Sequence, residues 1–214
     1  MTTWVMLISP AAGEAQREVR FDDDGLLTAA GARRCRAAAG ALPAADRIAV
    51  SPSVRCRRTA EELGLVAAPA PGPAGCAMGR WRGRALAEVA AAEPEAVSAW
   101  LTDPGFAGHG GESLREFCGR IEGWLARAGA EPGRVLAVVE PDVVRAAALT
   151  ALRVPADAFW RLDVPPLTVT ELSGRGGRWN LGLGRTLGAA GGGAGPGGNS
   201  QTPTSTHKDD ISAE

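Results

Sequence analysis

The chain contains only two histidines, His109 and His207, so acid–base or nucleophilic chemistry here must lean on carboxylates, arginines and hydroxyls. Glu140 is the leading candidate for a general acid or base, with Arg55 as the cation that orients a ligand. Glu112 or His109 could assist. Ser9 and Ser53 offer loop hydroxyls for ligand hydrogen bonds, but neither is accompanied by a histidine–aspartate pair, which argues against a serine nucleophile. Each has a plainer explanation. Glu112 follows two glycines and opens a helix, where a carboxylate is favoured by the helix dipole whatever its function, and a lone loop histidine such as His109 is more often structural.

Cys35, Cys56, Cys76 and Cys118 form no Cys-x-x-Cys pair, so the sequence points to no zinc site and no disulfide framework, and it calls for no cofactor or metal. A formal net charge of −1, with arginines interspersed among acids, gives no electrostatic footprint for nucleic acid. No apolar run approaches the ~18 residues of a membrane span, and the first apolar run is broken by Pro10, Gly13 and Glu14, unlike a secretory signal. The expectation is a cytoplasmic protein that handles a small molecule, with neither a nucleic-acid nor a membrane partner; a homodimer is compatible. Heavy use of Ala, Arg and Gly, with Lys208 as the single lysine, suggests a GC-rich genome, such as an actinobacterial one.

These residues need a scaffold, and the hydrophobic pattern supplies one. Thr3 to Ile8, Arg47 to Val50 and Val135 to Val139 are compact apolar runs of the kind that form buried parallel strands. Helical patterns over 27–42 and 53–63 follow the first two, and 143–152 follows the third. This alternation predicts an α/β fold, a three-layer α/β/α sandwich around a mostly parallel central sheet. Residues 84–101 read as two short helices separated at Pro94, 113–127 as an amphipathic helix, and 167–172 with 178–183 as a closing hairpin. The Pro/Gly-rich stretch 67–78 reads as a loop long enough to lie over something. One domain is expected over 1–184. From 185 to 214 the chain has almost nothing to bury, and a disordered Gly/Ser/Thr-rich tail is expected.

In open α/β sheets, ligands bind beyond the carboxyl ends of the parallel strands. The loops there read Ser9-Pro10-Ala11, Ser51-Pro52-Ser53 and Glu140-Pro141-Asp142. With LLTAAG (26–31), SPSVRCRRTAEELG (51–64), GRWRG (79–83), HGGES (109–113) and VVEPDVVRAAAL (138–149) in order, the chain resembles the histidine phosphatase superfamily, the phosphoglycerate-mutase-like proteins. The resemblance implies an arginine-histidine-glycine turn after strand one whose histidine attacks phosphorus. It also implies a second arginine after the Ser-Pro turn, a second histidine after the later strand, and a carboxylate proton donor. Arg55 matches the second arginine. Ser9 and Pro10 stand where the family has its first arginine and nucleophile, Glu140 where it has the second histidine, and Gly75 where it has the proton donor.

A degenerate member lacking both catalytic histidines is therefore expected. An ionised Glu140 about 4 Å from a phosphate would cost about 4 kcal/mol per pair of unit charges at an effective dielectric near 20. Glu140 is expected to pair with Arg55 instead. On this ground the sequence favours a repurposed acid–base enzyme, of isomerase, cyclase or lyase type, acting on a non-phosphorylated metabolite in a biosynthetic pathway. The alternatives are a non-catalytic pseudophosphatase that binds a metabolite or protein, and a residual phosphatase.

Overall fold

The structure is a computed structural model and describes residues 2–14, 19–21 and 25–188. Its five strands are β1 (Thr3–Ile8), β2 (Arg47–Val50), β3 (Gly133–Val138), β4 (Thr168–Arg175) and β5 (Arg178–Thr186). They form one sheet in the order β2-β3-β1-β4-β5. β2 and β1 flank β3 in parallel, whereas β4 runs antiparallel to both β1 and β5. Only β4 opposes the common direction, so the sheet is the mostly parallel one that the strand–helix alternation implies.

Alternation along the strands divides the interior in two, because successive strand side chains point to opposite faces. Val5, Leu7, Val135, Ala137 and Leu172 pack on one face against helices α5 (Leu114–Ala128) and α6 (Pro141–Leu152). Met6, Ile8, Leu136, Val138 and Val169 pack on the other against α1 (Ala29–Ala38) and α2 (Val54–Glu62). Two cores on opposite sheet faces make the three layers. A third, smaller cluster around Trp81, Val89 and Val97 sits under α3 (Leu86–Ala92) and α4 (Pro94–Thr102), which Pro94 separates as the sequence suggests.

Helix starts follow their caps. The Thr28 hydroxyl accepts the Gly31 N–H at 2.9 Å before α1. Ser113 and Glu116 form a reciprocal capping box at α5: the Ser113 Oγ accepts the Glu116 N–H at 3.2 Å, and Glu116 accepts the Ser113 N–H at 2.9 Å. The helix expected over 27–42 passes into a 3-10 turn at Ala39–Ala41, and the 3-10 segments Gly79–Trp81 and Ala156–Arg161 have no counterpart in the sequence pattern, because one or two tight turns are too short to show a period. The domain also extends past 184. β5 continues to Thr186, with Arg185 opposite Val169, and Leu187 is buried, so the expected boundary falls too early. The rest of the expected tail, from 189 on, lies outside the described residues, as does His207. Among the described residues no helix is long and apolar enough to cross a membrane.

Two glycines set how closely the 77–79 loop approaches the 109–112 turn. A Cβ on Gly111 would stand 1.9 Å from the Ala77 carbonyl oxygen, and one on Gly79, which has φ +51°, would stand 2.3 Å from that of His109. Gly111→Ala is expected to destabilise the protein by about 1–3 kcal/mol or more, as overpacking does. Gly119→Ala, on α5 with open space at its Cβ, should stabilise it by about 0.5–1 kcal/mol. Urea denaturation of both variants checks the pair of signs.

Candidate functional site

The first turn of α2, after β2, and the end of the loop after β3 meet at a buried ion pair. Ser53 caps α2 by accepting the Cys56 N–H at 3.2 Å and donates its hydroxyl to the Glu140 Oε1 at 2.6 Å. Glu140 occupies the N-cap position of α6, ahead of Pro141, and makes no capping bond. Its carboxylate turns back instead to the Arg55 guanidinium, accepting from Nη2 and, at 3.4 Å, from Nε. The Cys56 thiol lies 3.4 Å from the same Oε1. Burial, reinforced by the Glu140 charge, holds that thiol well above its ordinary value. Burial opposes the charge on Arg55, but Glu140's attraction outweighs it and raises Arg55 above its ordinary value.

The pair forms part of the wall of a cavity of about 260 Å³. Arg20, Arg145 and Asp142 line it with Arg55 and Glu140, and Phe21, Trp100, Phe159 and Trp160 line it as well. Gly75, Cys76 and Met78 of the Pro/Gly-rich stretch also line it, which is what that loop covers. Arg145 is oriented by the Leu162 carbonyl, to which its Nε donates at 2.7 Å, and by the Phe159 ring, whose centroid lies 5.6 Å from its guanidinium carbon.

Asp142 is the residue that sequence reasoning passed over. Burial pushes its carboxyl up from 3.8 to about 6, and the Glu140 charge adds to this; the backbone N–H groups of Cys76 and Val143, both at 2.7 Å, and the charge of Arg55 act in the opposite direction. The only signal available in the sequence was a second carboxylate two residues after Glu140. At a helix N-terminus that is the commonplace favoured by the dipole. Arg20 and Arg145 are not among the candidates that residue type and spacing single out.

Of the sequence candidates, the fold brings together Glu140, Arg55 and Ser53, and it places three elsewhere. Ser9 is buried with its hydroxyl spent on the sheet: it lies 2.6 Å from the Pro165 carbonyl and 3.0 Å from the Thr168 Oγ1, and accepts the Thr168 N–H at 3.0 Å. Glu112 is held by Arg120 through two 2.8 Å bonds, and Arg120 also donates to the carbonyls of Gly72, Ala74 and Gly75. Its work is to fix the loop over the cavity. His109 is buried between Trp81 and Phe106, with ring centroids at 5.0 and 5.8 Å, and its Nδ1 accepts the Gly111 N–H. Burial and the nearby Arg80 lower its affinity for a proton, and the ring packs in the aromatic cluster rather than facing the cavity. Among the described residues no group of three His, Cys, Asp or Glu side chains converges to hold a metal ion.

The sequence profile of the histidine phosphatase superfamily (branch 1) matches residues 10–184. A mycobacterial glucosyl-3-phosphoglycerate phosphatase, in a structure with VO3, is 25% identical with a TM-score of 0.73, over 87% of this chain and 99% of that one. A putative alpha-ribazole-5'-P phosphatase from Escherichia coli is 20% identical with a TM-score of 0.77, over 90% and 99%. The alpha-ribazole phosphatase of Shigella flexneri is 21% identical with a TM-score of 0.73, over 88% and 96%. The last two likenesses concern the fold alone. No curated protein matches the chain.

Two measurements check the geometry. Because the folded value of Asp142 lies above its ordinary one, the folded chain holds this proton more tightly, and the group makes the fold less stable as pH rises from about 4 to about 6. A carbon-13 NMR titration should place its midpoint near 6. Glu140→Gln should lower that midpoint, since it removes a negative neighbour and leaves the Arg55 charge uncompensated; an unchanged midpoint contradicts the coupling. Ser9→Ala should cost about 1–3 kcal/mol in denaturant unfolding, the usual result of stranding buried polar partners.

Proposed function

The chain belongs to the histidine phosphatase superfamily, and on that premise we propose that it hydrolyses a phosphomonoester of a small molecule by attack of water rather than through a phosphohistidine. The observation that carries this reading is that Arg20, Arg55, Arg145 and Asp142 line one cavity beyond the ends of β2 and β3. Arginines suit the planar, multi-point recognition of a phosphate dianion. Asp142, raised to about 6, suits proton transfer near neutral pH. Pro10 and Glu140 stand where the family resemblance puts the two histidines, and neither side chain offers a ring nitrogen to phosphorus.

In the proposed step the oxygen of a water attacks phosphorus as the ester P–O bond breaks. The bonding pair leaves with the ester oxygen, and the proton of the water passes to Asp142. Asp142 then returns that proton to the departing oxygen or to solvent. Glu140 acts through Arg55, which it holds against the cavity wall.

This reverses the order of preference drawn from the sequence. The compared structures include proteins described as phosphatases, which favours phosphate-ester hydrolysis over a repurposed reaction. The charge-repulsion argument also weakens once the cavity is seen whole. It reckoned with the Glu140–Arg55 pair, which the structure contains with Ser53 as a further donor to Glu140, and took that pair as the whole anion site. It also left out Arg20 and Arg145. One observation favours acid–base chemistry on a non-phosphorylated metabolite as a second reading: Glu140 and Asp142, two residues apart, sit in unlike environments, a common arrangement for separating proton-transfer roles.

Purified protein assayed with para-nitrophenyl phosphate should show turnover that rises through pH ~6 as Asp142 loses its proton. Asp142→Asn and Arg145→Met should each lower kcat/KM by about 10²–10⁴-fold. Turnover indifferent to both substitutions overturns the assignment of residues. Absence of turnover in the wild type overturns the hydrolase reading in favour of the second one or of a binding-only protein.

A further inference from the structure

The chain holds six tryptophans and four phenylalanines, and two of each line this one cavity. Trp100 of α4 and Trp160 of the 156–161 turn meet edge to face, with centroids 4.5 Å apart. Phe21 extends the surface from Trp100 at 5.5 Å, and Phe159 from Trp160 at 4.9 Å. Phe159 is buried, but Phe21, Trp100 and Trp160 remain half-buried. The cavity wall therefore combines charged groups with aromatic rings, at the seam where the small cluster under α3 and α4 meets the main core.

Packing of the two clusters accounts for contact between these rings. It does not account for the partly open ring surface beside three arginines. Uncovered aromatic surface in a concave site is stabilised by a second aromatic group, which can meet it offset-stacked or edge to face. A volume of about 260 Å³ lies just under the lower end of typical ligand pockets, about 300 Å³, so the occupant is small.

We infer that the substrate is an aryl phosphate: one aromatic ring or two fused rings carrying the phosphate on a ring oxygen. The inference rests on the hydrolase reading above and narrows it. The chemistry agrees with the wall. Hydrolysis breaks the phosphorus–ring-oxygen bond, the bonding pair stays on the phenolate oxygen, and water supplies the oxygen that phosphate gains. A phenol has a pKa of about 10, against about 15.7 for water, so a phenolate departs with far less help from a proton donor than an alkoxide would need. A site with no histidine among the residues lining its cavity, and one carboxylate for proton transfer, is matched to such a leaving group.

The test separates binding from turnover. Isothermal titration of the full chain with 2-naphthylphosphonate and with methylphosphonate, neither of which can be hydrolysed at an ester bond, should show the naphthyl compound binding at least about ten times more tightly. Trp160→Ala should abolish that preference, and Trp160→Phe should keep most of it. Equal affinities for the two phosphonates, or failure to bind either, overturns the aryl assignment. Turnover of 2-naphthyl phosphate and ethyl phosphate is measured beside it. If both esters are hydrolysed equally, the hydrolase reading stands and the aryl assignment falls. If the naphthyl phosphonate binds preferentially but neither ester is cleaved, the aryl site stands and the hydrolase reading falls.

Discussion

Glu140 follows β3 and Arg55 stands in the first turn of α2 after β2, and their ion pair ties the ends of β2 and β3 together. Both groups are largely withdrawn from water, and removing one partner of such a pair usually costs about 3–5 kcal/mol because the other is left charged and buried. Ser53 ties the pair to the start of α2 and Pro141 to the start of α6, so the two helices begin on a shared polar anchor. The same contact decides the electrostatics of the cavity. By occupying Arg55, Glu140 leaves Arg20 and Arg145 as the other cations on the wall. By its negative charge it keeps the proton on Asp142 to higher pH.

The loop over the cavity depends on a second polar anchor. Arg120 of α5 holds Glu112 and three carbonyls of the 72–75 segment at once, so a proline- and glycine-rich stretch with little to bury is fixed in place. The close approaches at Gly79 and Gly111 press that loop against the aromatic cluster around Trp81. Charged floor, tethered loop and aromatic wall come from three different parts of the chain and converge where parallel strands end, as the topology of open α/β sheets favours.

Much of the scaffold was legible because its signals are local. The apolar runs 3–8 and 47–50, the amphipathic pattern over 113–127 and the break at Pro94 each act over a short stretch, where sequence spacing and spatial spacing coincide. The Arg55–Glu140 pairing was legible too, since both residues stand at carboxyl ends of neighbouring parallel strands. Ser9, Glu112 and His109 were placed near the site for the same reason, being polar residues on the right loops. Their side chains turned elsewhere because other partners claim them: Thr168, far along the chain, for Ser9, Arg120 on the following helix for Glu112, and the Trp81 ring for His109.

The sequence by itself determined the α/β class, the strand and helix order, the family and the absence of histidine from the three strand-end loops, because these depend on residue type and short-range period. Only the tertiary structure decided that Asp142, Arg20 and Arg145 join Arg55 in one cavity, and that Trp100 and Trp160 meet at 4.5 Å across a seam between two clusters. Those residues are brought together by packing between segments distant in the chain, and neither hydrophobic period nor motif spacing carries information about which way a side chain turns once such segments meet.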